Sequence, residues 1–423
     1  MKFNKTTLKN GLRIITVPIP DHTSVTVLVM AETGSKYETQ ETNGLSHFLE
    51  HMLFKGTPKR PHATDVSREL DGIGAQYNAF TSNEYTGYYV KTAPHQLPTS
   101  LEILSDMYLN PLFKKEEIEK EKGVIIEEVR MYNDLPQHIV GNVFMSQVYG
   151  DQPAGWKVIG SEENVKSFTR EQVVNYKNSQ YVAESTIVIV AGSFDETQII
   201  DQIGEAFSSI PVHTKREKLA VIESQKMPVI KTYYKETDQT HLIIGVRTFC
   251  VNDPRAPIIT ILSTILGKGM SSRLFSKMRD ELGICYYVNS DQDAYTDHGV
   301  FEISAGVDNS RVKEAIIGIL EECKKLKSEL VSPAELKKAK DYMSGNMLLS
   351  LETSDARGEF CAYQEIVKGK IEHPEEILER IQRVTSEQIK SLAQEIFVNE
   401  HLNMAIVGKY TDDSQFKDYF TFS

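Results

Sequence analysis

Apolar positions along the first 212 residues follow two periods. The runs "GLRIITV", "SVTVLVMAE" and "STIVIVAGSF" are short and almost continuously apolar, which predicts buried strands. Spacings of three and four predict helices over about 44–55, 62–72 and 95–109, and a charged amphipathic helix from roughly Lys115 to Met131. Between them "AQYNAFTSNEYTGYYVKTA" alternates with period two and predicts strand.

The polar stretch "IPVHTKREKLAVIESQKMP", bounded by Pro211 and Pro228, reads as a linker. It divides the chain into a first half, 1–212, a linker, 213–227, and a second half, 228–423. The second half repeats the plan of the first: strand "THLIIGVRTF", helices through "APIITILSTILGKG" and up to "MRDELG", alternating "VFEISAGVD", a long helix containing "VKEAIIGILEECKKL", and closing strand "NMAIVGKY". Lys55-Gly56 aligns with Lys268-Gly269, and Gly74 with Gly283, which brings Tyr77 opposite Tyr286. The expected class is α+β, two similar halves, each a mostly antiparallel sheet packed with helices.

The chemistry is asymmetric. "HFLEH" sets His47, Glu50 and His51 on one helix, where residues four apart share a face, so two imidazoles can reach one ion with a carboxylate beside them. The aligned positions of the second half hold Thr260, Ser263 and Thr264, none a usual zinc ligand, so any metal belongs to the first half. The competing reading is a helix that merely contains histidines. A third ligand can come from "KKEEIEKEKGVIIEEVRMYND": Glu121, Ile125 and Glu128 share a helical face, with Glu127 about 100° away, but spacing alone does not choose between Glu127 and Glu128.

Four cysteines, Cys250, Cys285, Cys323 and Cys361, are far apart and lack a C-x-x-C pair, so a metal site must use His, Glu or Asp. The net charge of −12 over 423 residues argues against a nucleic-acid partner. No window predicts a membrane span or a signal peptide, and the expectation is a cytoplasmic protein.

The inverted zinc motif resembles that of the inverzincins. "HFLEHMLFKGT" is similar to the pitrilysin family of zinc metallopeptidases, in its branch containing the mitochondrial processing peptidase β subunit and bacterial processing proteases. "KGVIIEE" matches the family's segment for the third ligand and puts it on Glu128, and the preceding family glutamate falls on Glu121, supporting the ligands. "NAFTSNEYT" matches the family's substrate-binding edge strand, making Asn78, Ala79 and Phe80 candidates, and "MRDELGICY" matches its Arg-x6-Tyr pair at Arg279 and Tyr286. These matches span both halves and imply a processing-peptidase-like metallohydrolase fold.

The resemblance implies one Zn2+ per chain on His47, His51 and Glu128, polarising a peptide carbonyl and activating water, with Glu50 moving the proton. An exposed strand around Asn78 offers backbone groups to an extended peptide, and Arg279 and Tyr286 would donate to substrate carbonyls. Because both the zinc residues and the Arg/Tyr pair are present, the expectation is a homodimer whose sites are completed in trans around a closed chamber, admitting short or unfolded peptides. The alternative function is a non-catalytic scaffold or assembly subunit of the same fold. A small-molecule zinc hydrolase is a third reading, disfavoured by the peptide-binding strand.

Overall fold

In the computed structural model, which describes residues 1–422, the chain forms two compact units. The first comprises Met1–Arg130, Trp156–Leu219 and Ser350–Ile371; the second comprises Met131–Gly155, Ala220–Leu349 and the chain from Glu372 on.

The first unit is built on a sheet of six strands: β1 (Asn4–Thr7), β2 (Arg13–Pro18), β3 (Val25–Ala31), β4 (Gln76–Thr81), β5 (Thr86–Thr92) and β6 (Thr186–Gly192), in the order β1-β2-β6-β3-β5-β4. Every neighbouring pair is antiparallel except β2 and β6. β3 and β6 are buried along their whole length, which is why their sequences are apolar apart from Thr26 and Thr186. β4 is the edge strand, and it carries the alternating exposure of a strand with one covered face.

The second unit has β7 (Val229–Tyr234), β8 (Gln239–Thr248), β9 (Cys285–Ala294), β10 (Gly299–Asp308) and β11 (Leu402–Gly408), in the order β7-β11-β8-β10-β9, with only β7 and β11 parallel. The two orders superpose strand for strand once β1 is set aside, with β4 and β9 as equivalent edges. The glycine anchors agree: Gly56 and Gly269 have φ of 108° and 79°, and Gly74 and Gly283 have 68° and 61°. That left-handed backbone favours glycine, so the same turn is built twice. Tyr77 and Tyr286 then each occupy the second position of an edge strand. The duplicated α+β plan and its mostly antiparallel sheets are borne out.

The helices are α1 (Leu45–Met52), α2 (Asp65–Gly72), α3 (Leu97–Leu109), α4 (Lys115–Asp134), α5 (Pro136–Tyr149), α6 (Glu162–Ser167), α7 (Arg170–Gln180), α8 (Ile199–Ala206), α9 (Ala256–Gly267), α10 (Arg273–Phe275), α11 (Val312–Ser328), α12 (Pro333–Ser350), α13 (Ser354–Tyr363), α14 (Pro374–Gln382) and α15 (Ser386–Ile396). α10 runs on into a π-helical turn, Ser276–Glu281. Each unit is completed by a helix from the other half of the sequence. α5 packs Ile139, Val140, Phe144 and Val148 against Ile243, Ala405 and Val407 of the second sheet. α13 lies on β2, β3 and β6 of the first sheet, with the Ser354 hydroxyl 2.8 Å from that of Thr26.

The segment 213–227 forms neither helix nor strand. Its first part is tied to the first unit by Lys215–Glu32 (2.6 Å) and Lys218–Glu84 (2.9 Å). Its second part is tied to the second unit by the Val221 and Ile222 N–H groups, which donate to Asp297 and Gln152. No helix among the described residues is long and apolar enough to cross a membrane.

Candidate metal centre

α1 buries Leu45, Phe48, Leu49 and Met52 on one face and turns His47, Glu50 and His51 the other way. Its N-terminus has an unusual cap. Gly44, at φ 102°, precedes the helix and has no side chain to offer, so the fully buried Glu38 carboxylate accepts from the Gly44 N–H at 2.8 Å, the Ser46 N–H at 2.6 Å and the Asn43 amide at 3.0 Å. A carboxylate there satisfies orphan donors and favours the positive end of the helix dipole.

α4 brings Glu128 up to this face. His47 Nε2 lies 3.7 Å from Glu128 Oε1, and His51 Nε2 lies 3.5 Å from Glu128 Oε2. Ligand atoms of His47, His51 and Glu128 fall within 4.8 Å of one another, the one such His/Cys/Asp/Glu cluster of three among the described residues. Of the two glutamates that spacing leaves open, the structure turns one toward the histidines and one toward solvent. The Glu128 side chain is 22% exposed and faces the histidines, whereas that of Glu127 is 71% exposed and pairs with Arg130.

The donors fit zinc. Two imidazole nitrogens and one carboxylate are the ligand types of a three-residue catalytic site. Burial, and then the neighbouring His51, push the His47 pKa down to about 3, so this imidazole is neutral at ordinary pH. His47 Nδ1 is buried without a hydrogen-bond partner among the described residues, while its Nε2 faces Glu128 and its ring lies against that of His51, centroids 4.8 Å apart. His51 is held differently: Nδ1 is 2.9 Å from Glu121 Oε1, and Glu121 Oε2 takes Lys55 Nζ at 2.7 Å. A proton on Nδ1 leaves the Nε2 lone pair for a metal. Burial acts to lower the His51 pKa, but the bond to Glu121 and the charges of Glu121, Glu50 and Glu128 outweigh it and raise it. Burial acts to raise the Glu121 pKa, and His51 and Lys55 reverse it.

Glu50 stands beside the cluster, its Oε2 accepting from the Thr81 hydroxyl at 2.6 Å. Burial raises its pKa against the opposing effects of Thr81 and His51. A recess of about 300 Å³ opens next to it, lined by Glu50, His51, Phe54, Lys55, Tyr77 and Ala79 among others. Of the strand candidates, Asn78 and Ala79 both line the recess, Asn78 accepting the Ala79 N–H on its own side-chain oxygen at 2.9 Å, and the Phe80 ring covers Gly87 and meets Tyr85 edge-on. The Phe80 side chain is thus committed to its own sheet, while its backbone stays on the edge strand.

Arg279 and Tyr286 meet in the second unit. Arg279, on the π-helical turn, donates to the carbonyls of Cys285 (3.2 Å) and Tyr286 (2.8 Å), and the Tyr286 side chain projects from edge strand β9 with 61% of the residue exposed. No local pattern marks Glu38, Lys55 or Thr81: Lys55 and Thr81 lie within "HFLEHMLFKGT" and "NAFTSNEYT", but their partners are set by tertiary structure.

Residues 13–162 match the family described as Insulinase (Peptidase family M16), and residues 167–343 match the Peptidase M16 inactive domain. A Bacillus subtilis protein named as an uncharacterized zinc protease, YmxG, is 34% identical over 396 residues, covering 93% of this chain and 96% of its own. The crystal structure of a protease from Helicobacter pylori is similar with a TM-score of 0.90 at 23% identity, covering 96% of this chain and 99% of that one. A chain of complex III2 from Candida albicans has a TM-score of 0.85 at 18% identity, covering 99% of each. The two structural likenesses carry the fold.

Proposed function

Since the chain belongs to the M16 (insulinase) family of peptidases, whose relatives here are named zinc proteases, we propose that it is a zinc-dependent endopeptidase acting on short or unfolded peptides. The observation that carries this reading is the convergence of His47, His51 and Glu128 beside the half-buried Glu50. Zinc, one ion per chain, would supply Lewis acidity to the scissile carbonyl and to the attacking water.

The remaining work falls to the protein. Glu50 takes the proton of the attacking water on its carboxylate and returns it to the leaving amine nitrogen. Glu121 orients His51. The backbone of β4 at Asn78, Ala79 and Phe80 pairs with an extended peptide, an affinity that demands little of the peptide's sequence. Arg279 and Tyr286 donate to substrate carbonyls and to the developing oxyanion. The active species is a homodimer in which the Arg/Tyr pair of one subunit completes the zinc site of the other around a closed chamber, and its setting is the cytoplasm. The acidic composition suits basic peptides. A scaffold role within this fold is the second reading, supported by the likeness to complex III. Retention of His47, Glu50, His51, Glu121 and Glu128 together supports the catalytic one.

The test is cleavage, followed by mass spectrometry, of an unstructured basic peptide and of the same sequence inside a folded protein. The free peptide is cut, the folded one is spared, chelation stops the reaction and zinc restores it. Persistent cleavage after complete metal removal contradicts the reading.

A further inference from the structure

Tyr77, Ala79 and Thr81 alternate along β4 and so share one face of the strand, the one that meets α1. Tyr77 and Ala79, with Asn78 between them, line the recess beside Glu50, and Thr81, last in the strand, puts its hydroxyl on Glu50 Oε2. This is the one hydrogen bond to the Glu50 carboxylate among the described residues. A glutamate has three side-chain torsions, and burial in a site does not by itself select one arrangement of its two oxygens.

We propose that Thr81 is a positioning residue for Glu50, fixing one carboxylate oxygen so that the other faces the attacking water. The proposal rests on the peptidase reading above. Threonine suits the task because its branched side chain is stiff about χ1, and its backbone is itself anchored. Thr81 pairs with Thr86 at the closed end of the β4–β5 hairpin, and the Thr86 hydroxyl donates to the Thr33 carbonyl at 3.0 Å. The donor is therefore held by the sheet rather than by the helix that carries Glu50. The strand that would receive the peptide backbone is also the strand that sets the base. Peptide register and base orientation are thereby referred to one rigid element, which is how a reacting carbonyl and a proton acceptor can be kept in near-attack geometry.

Thr81→Val removes the hydroxyl while keeping shape and strand propensity; Thr81→Ser keeps the hydroxyl. The expected result for Thr81→Val is a fall in kcat of about tenfold to a hundredfold, with KM and zinc content unchanged. Thr81→Ser recovers most of the loss. A crystal structure of metal-free Thr81→Val supplies a readout independent of turnover: the Glu50 carboxylate leaves its present position there and keeps it in Thr81→Ser. Unchanged kcat, an effect confined to KM, loss of zinc, or an unmoved Glu50 in Thr81→Val would each overturn the proposal. Failure of the peptidase reading looks different: the wild type itself does not cleave, and the Glu50 position in the two variants still decides the role of Thr81.

Discussion

His51 Nδ1 and Glu121 Oε1 stand 2.9 Å apart, with the second oxygen of Glu121 held by Lys55. The bond fixes the tautomer that presents Nε2 beside Glu128. Supporting partners of this kind are worth about 10- to 100-fold in metal affinity. Glu121→Ala is expected to weaken zinc binding by about that factor in a competition titration with a chromogenic chelator, with the fold intact by circular dichroism. Wild-type affinity in the variant would remove Glu121 from the site's support.

Glu38 holds the start of the histidine helix α1 through three donors. Glu38→Ala leaves the Gly44 and Ser46 N–H groups buried and unpaired, a loss of about 1–3 kcal/mol per group. The metal-free protein should therefore melt several degrees lower, and scanning calorimetry would show it. An unchanged melting temperature would mean that water replaces the carboxylate without cost.

In the second unit, Glu302 sits across the β9–β10 ladder from Asp291, with Asp293 nearby. Burial, then repulsion from Asp293 and Asp291, pushes its pKa up to about 7, and Lys268 offsets part of this. A carboxyl whose folded pKa lies above its unfolded value binds the proton more tightly when folded, so its contribution to stability declines as pH rises between the two values. Glu302→Gln should match the wild type near pH 4 and melt at a higher temperature above pH 7. Identical melting profiles across that range would contradict the assignment.

The proposed homodimer places the zinc residues and the Arg/Tyr pair of different subunits at one site. Arg279→Ala and Glu50→Gln are each expected to be inactive alone. Mixing them allows heterodimers with one intact site, so activity should return toward a quarter of wild type for random assembly, on the order expected when both interfaces exchange freely. Two inactive variants that stay inactive when mixed, despite demonstrated exchange, would place both sets in the same subunit.

The duplicated plan was legible in the sequence because buried strands such as β3 and β6 are apolar at nearly every position and because the repeated turns favour glycine. The histidine helix was legible for a similar reason: its apolar positions 45, 48, 49 and 52 leave 47, 50 and 51 on the opposite face. β1, β7 and β9 are not marked in the sequence, since the short "NKTT" and "VIKTYY" and the mixed "CYYVNSDQDA" lack a strong apolar period. The reciprocal placement of α5 and α13 was also hidden. An apolar helical face records that it is covered, not by which sheet. Glu127 and Glu128 have the same chemistry and differ only in direction, so their assignment needed the fold or a resemblance. Thr81 and Glu38 act through partners 31 and 5 to 8 positions away, contacts without a local pattern.

The proposed zinc peptidase uses Glu50 as its base, and metal content paired with turnover, in the wild type and in Glu50→Gln, tests that role. About one zinc per chain is expected in both proteins, with peptide cleavage in the wild type and a loss of at least about a hundredfold in the variant. Equal cleavage by zinc-loaded Glu50→Gln would contradict the account, and so would a wild type that binds no zinc.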